Sequence, residues 1–143
     1  MTLLIVLALS SYSQCLFGLE GRAGLARYHL LPLSGWHVLA AKDAAFLAVA
    51  VPLILPLAPL AGTGAALIVL AMGHGPSVTH IRPQTRWRFS TGSSVGLGLL
   101  QAMMMAIAGS AIFFSSAFFF LPCVLIAAGS LWHYGQEFER IVD

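Results

Sequence analysis

From Ala44 to Gly73, and again from Val95 to Trp132, the chain contains no Asp, Glu, Lys or Arg. Uncharged apolar runs of that length constrain a fold more than any motif does. A helix that crosses a bilayer needs about 20 apolar residues to match a hydrocarbon core of roughly 30 Å. The rest of the chain offers no water-facing surface to offset them. Only 8% of the 143 residues are charged, 59% are hydrophobic, and the mean hydropathy is +0.89. Soluble domains carry about 25% charged residues. The composition therefore predicts an all-α polytopic membrane protein, a single transmembrane domain over 1–143, and leaves no room for a separate soluble catalytic domain.

The number of spans follows from charge parity. The seven basic residues fall in three places: Arg22, Arg27 and Lys42; Arg82, Arg86 and Arg88; and Arg140. Basic residues collect on the cytoplasmic side of a membrane protein. If 44–73 is a hairpin, all seven lie on one side; if it is one kinked span, the first two clusters face opposite sides. The hairpin reading is adopted, with its outer turn at Leu60 to Gly64. Five spans result, at about 2–17, 39–59, 60–75, 95–110 and 114–133. The cytoplasmic segments are then 18–38, 76–94 and 134–143, with the N-terminus outside and the C-terminus inside. Residues 1–17 lack a basic leader and a good cleavage site, so they read as a span, somewhat short, and not as a signal peptide. Gly92 and Gly96 form a GxxxG, a spacing that lets helices approach closely.

The long polar interruption is Phe17 to Asp43. Its glycines disfavour helix before about Ala23. A short amphipathic cytoplasmic helix over Ala23–Leu31 is expected between the first and second spans, ended by Pro32. Ser34 is placed to N-cap the next helix. Tyr28, Trp36, Trp87, Trp132 and Tyr134 suit the headgroup level as interface anchors. Lys42, with Asp43 beside it, is expected at the same level, its charge snorkelling to water.

Nothing in the sequence marks an active site. All five acids are expected at interfaces or tails, and no metalloprotease, nucleotide-phosphate or nucleophile-elbow motif is present. Ser, His and Asp occur, but no spacing places them together. The five histidines read as interfacial or solvated, and Cys15 and Cys123 as inert buried thiols too far apart for a metal motif. No catalytic, metal-binding or cofactor-binding residue is assigned. A net charge of +2 with the basic residues in loops is ordinary for a membrane protein and indicates no nucleic-acid partner. Lipid contact alone would account for the arginines.

Phe17-Gly18, Glu20-Gly21, Gly24, Arg27-Tyr28, Leu30-Leu31-Pro32-Leu33 and Lys42-Asp43, in that order, resemble a pattern in the permease subunits of bacterial type-2 ABC exporters. Arg86-Trp87-Arg88-Phe89 and the terminal Trp132-His133-Tyr134-Gly135 are similar to the same group. The resemblance covers the C-terminal portion of such a permease, without its N-terminal spans. It implies a multi-pass subunit of the bacterial cytoplasmic membrane. Its implied partners are a second permease copy or half and a separate ATP-binding cassette subunit that hydrolyses ATP. It implies no intrinsic enzyme activity, and it points to Glu20, Arg22 and Arg27 as contacts to the ATPase subunit. The alternative is a small non-catalytic membrane protein that assembles or stabilises a larger complex. An intramembrane enzyme, or a channel or carrier built on broken helices at Pro52 to Pro59, ranks below both.

Overall fold

In a computed structural model of the chain, residues 1–14, 34–79 and 95–142 are described. All of their regular structure is helical: α1 (Thr2–Gln14), α2 (Gly35–Ile54), α3 (Pro59–Thr79), α4 (Val95–Phe114) and α5 (Phe120–Val142), with a 3-10 turn at Ala117–Phe119. Four helices are long and apolar enough to cross a membrane, namely α2, α3, α4 and α5. The 13 residues of α1 extend only about 20 Å at 1.5 Å per residue.

Residues 44–73 form two antiparallel helices, and the turn between them lies at 55–58, earlier than Leu60 to Gly64. Pro59 explains the shift. A proline fits the first helical position because the N–H it lacks would have no intrahelical partner there. The turn closes by backbone bonds from Leu57 N and Ala58 N to Ile54 O, at 3.0 and 3.2 Å. Gly62 N then donates to Ala58 O at 2.8 Å, already inside the next helix. The second hairpin turns at Ser115 and Ser116, where Ser116 Oγ accepts from Phe118 N at 3.1 Å.

The central helix is α3, which packs against the other four. Of its span, 78% is buried, against 6% for the span in α5. Its sequence permits this crowding because small residues line it. A Cβ on Gly62 would meet Thr2 Cγ2 at 2.5 Å, and one on Gly64 would collide with Ile112. Gly109 on α4 likewise admits Leu3, where a Cβ would meet Cδ2 at 2.7 Å. Gly96, by contrast, has nothing within 4 Å, so the close packing runs through α3 and not through Gly96; Gly92 lies outside the described residues.

Three apolar layers stack along the bundle. Ala61, Ile68, Ile112 and Cys123 form the layer near the turns. Val6, Phe46, Ala50, Ile54, Ala65, Ala66, Val69, Leu70 and Met105 make the middle. Val38, Leu39, Val78 and Phe138 close the far end. Buried Gln101 adds a polar tie, donating from Nε2 to Val69 O at 3.2 Å. Thr2 and Leu3 lie against Gly62 and Gly109, so α1 starts at the turn end. The C-termini of α3 and α5 and the N-termini of α2 and α4 therefore share the other end, toward which the shorter α1 runs. The outward faces of α4 and α5 carry Leu99, Met103, Ile107, Phe113, Leu125 and Ile126, all exposed. In water such a surface would be costly; against lipid tails it is the expected exterior.

Candidate functional site

Between the middle and far apolar layers, three polar side chains from three helices meet. On α2, Asp43 follows Leu39 by four residues and precedes Phe46, placing it on the stripe that faces the bundle. On α3, His74 stands four residues from Leu70 and four from Val78, all of them buried. On α5, Ser130 is half-buried on the side toward α3. His74 Nε2 lies 2.9 and 3.1 Å from the two carboxylate oxygens of Asp43. Its Nδ1 lies 2.9 Å from Ser130 Oγ, which in turn donates to Ala71 O at 2.7 Å. His74 is fully buried, while the Asp43 side chain keeps 14% exposure. Gly75 makes room for the ring of Tyr134, since a Cβ there would meet its hydroxyl oxygen at 2.9 Å. That ring sits tilted beside His74, centroids 6.5 Å apart.

This arrangement corrects two expectations. Asp43 does not snorkel beside Lys42 at the membrane surface; it turns inward, about 12 Å along the axis from the start of α2. His74 is not interfacial or solvated but has no exposed surface. Both belong to long helices and lie inside the spans expected at 39–59 and 60–75. An unpaired polar group at this depth would cost several kcal/mol. Among the described residues, no buried side-chain nitrogen or oxygen lacks a partner.

The same end carries a second fastening. Gly35 N, the first amide of α2, donates to Glu139 Oε1 of α5 at 2.8 Å. Such an amide has no intrahelical acceptor, and a carboxylate there also faces the positive end of the helix dipole. Ser34 occupies the N-cap position but makes no cap bond; its hydroxyl pairs with His37 Nδ1 instead. Glu139, expected in a tail, takes over that role from another helix. The helices touch through glycines: a Cβ on Gly35 would meet Gly135 O at 2.6 Å, and one on Gly135 would meet Trp36 Cα at 2.9 Å.

The expected site residues separate accordingly. Glu20, Arg22, Arg27, Tyr28 and Trp87 lie outside the described residues, as do Cys15 and the amphipathic helix expected over Ala23–Leu31. Trp36 is exposed near the start of α2 and stacks on His37 with centroids 3.7 Å apart. Lys42 is half-buried, Trp132 is exposed on α5, and Tyr134 is half-buried against Gly75. Cys123 is a free, buried thiol near Phe119 O. No group of three His, Cys, Asp or Glu side chains among the described residues converges as metal ligands would.

A Ser, a His and an Asp in hydrogen-bonded sequence is also the order of a nucleophilic triad. The chemistry here departs from that use. The Ser130 proton is directed at a carbonyl, away from the imidazole that would have to accept it. The surrounding backbone is helical, so its amides are consumed within helices and do not form an oxyanion hole. What the arrangement does is tie α2, α3 and α5 through one buried imidazole. No known protein family, curated protein or solved structure matches this chain.

Proposed function

We propose that this chain is a membrane-spanning permease subunit, or part of one, of an ABC-type exporter, with ATP hydrolysed by a separate subunit. The observation that carries the reading is the double fastening of α2 to α5, by Asp43–His74–Ser130 and by Glu139–Gly35, at one end of the bundle. The segment that resembles the exporter permeases, Phe17 to Asp43, leads directly into that fastened helix. A force received before Gly35 would move α2, α3 and α5 as one body, which is what a permease driven by an external ATPase requires. The charge distribution supports the same orientation. Helix ends on this side join the segments holding Arg22, Arg27, Arg82, Arg86 and Arg88, and Arg140 lies in the last turn of α5. The positive-inside rule then puts this end in the cytoplasm, the turns outside, and α1 as a fifth, partial crossing of the bacterial cytoplasmic membrane. Glu20, Arg22 and Arg27 are the contacts to the ATPase subunit in this reading, and a second permease copy completes the pathway. Any ATPase activity belongs to the partner subunit in this reading.

Affinity purification of the tagged chain from bacterial membranes tests this. An ATP-binding cassette subunit co-purifies, and Arg22→Glu with Arg27→Glu removes it while the chain stays membrane-inserted. A folded, inserted chain that never brings down such a subunit contradicts the reading and favours a non-catalytic assembly protein.

A further inference from the structure

The proton positions in the Asp43–His74–Ser130 chain can be counted from its acceptors. A carbonyl oxygen only accepts, so the single hydroxyl proton of Ser130 is used on Ala71 O at 2.7 Å. Toward His74, Ser130 Oγ then has only lone pairs, and at 2.9 Å the imidazole Nδ1 must supply the hydrogen. Nε2 faces a carboxylate on the other side. If the carboxylate is ionised, Nε2 also carries a hydrogen; if the carboxyl is protonated, it donates to a bare Nε2. In both cases one proton lies between Nε2 and Asp43, and the pair is neutral overall. Adding or removing that proton leaves one net charge among Leu39, Phe46, Leu70 and Val78, where it is poorly solvated.

We infer that Asp43 and His74 form a one-proton lock that fastens α2 to α3 and, through an Nδ1 hydrogen donated to Ser130, to α5. The charged groups among the described residues can be placed element by element. On α2, His37 is engaged with Ser34, and Lys42, next to Asp43 in sequence, is half-buried. On α5, Glu139 is committed to Gly35 N, Tyr134 presents its ring, and His133, Glu137 and Arg140 follow toward the helix end. On α3, His74 is the one titratable residue from 59 to 79, and α4 has none from 95 to 114. The described side chains of α1 contribute none beyond the amino terminus, at the turn end. The lock holds for whatever complex the chain serves.

The test is nitrogen NMR of the full chain, labelled at histidine and held in lipid bicelles, with His74 assigned by its loss in His74→Gln. A protonated Nδ1 is expected, with the Nε2 signal displaced by Asp43→Asn while Nδ1 keeps its hydrogen. A bare Nδ1 overturns the lock, because Ser130 would then be donating to the ring as a nucleophile does. Amide exchange supplies the second readout. Ser130→Ala, which removes one hydroxyl, and Asp43→Asn are expected to speed exchange over 39–46 by at least about tenfold, with little change at Ala65 to Val69. Unchanged exchange over 39–46 in both variants overturns it as well. If Asp43→Asn does not fold, Ser130→Ala decides alone.

Discussion

His74 is the residue on which the polar end depends, because both of its ring nitrogens are engaged and neither can reach water. His74→Leu leaves the Asp43 carboxylate facing an apolar wall. Breaking a buried pair by removing one partner costs roughly 3–5 kcal/mol, and the partial exposure of Asp43 puts the expected loss near 3 kcal/mol. Reversible unfolding in mixed micelles checks it. Ser130→Ala removes two hydrogen bonds, one given to Ala71 O and one taken from His74 Nδ1, and is expected to cost about 1.5–3 kcal/mol. A fluorophosphonate probe distinguishes this architecture from a nucleophilic triad: labelling is expected at the same background level in the native chain and in Ser130→Ala. Specific labelling of Ser130 would mean the hydroxyl is activated. None of this was legible residue by residue, since a single aspartate beside a lysine, or a histidine between two glycines, reads as an interfacial group.

At the scale of helices, the apolar runs announced their secondary structure, and the parity of the basic residues separated 44–73 into two. The spans drawn at 39–59 and 60–75 already include Asp43 and His74; what hydropathy did not supply was that both turn inward. Yet the two ends of one hairpin's uncharged run meet in space, so the pairing was implicit once the hairpin was accepted. Helical spacing gave the same signal: Leu39 and Asp43 on α2, then Leu70, His74 and Val78 on α3, share one buried stripe. The Gly35–Gly135 crossing had no such signal, because the partners lie a hundred residues apart and neither glycine stands in a repeating pattern. Their importance is testable by contrast. Gly35→Ala places a methyl 2.6 Å from a backbone oxygen that cannot swing aside, and is expected to cost about 1–3 kcal/mol. Gly96→Ala meets nothing within 4 Å and is expected to be neutral, or to stabilise the helix by up to about 1 kcal/mol. Equal effects would mean that α2 and α5 do not cross at these glycines.

For the molecule as a whole, the arrangement is asymmetric. One end is a pair of short uncharged turns, at 55–58 and 115–116. The other gathers the polar fastenings, the aromatic residues Trp36 and Tyr134, and the helix ends that lead to the basic segments. A single cysteine at Leu57 is expected to react with an impermeant maleimide from outside intact cells, and one at Arg140 only after the membrane is opened; the reverse pattern would invert the orientation. The central claim is that the basic end receives an ATPase subunit. The most direct test is a photo-crosslinking amino acid at Arg27, with one at Leu57 in the opposite turn as control, in intact bacterial membranes. An adduct from position 27, identified by mass as an ATP-binding cassette subunit and missing from position 57, is the predicted result. No such adduct from position 27, or the same subunit captured from position 57, would contradict the account.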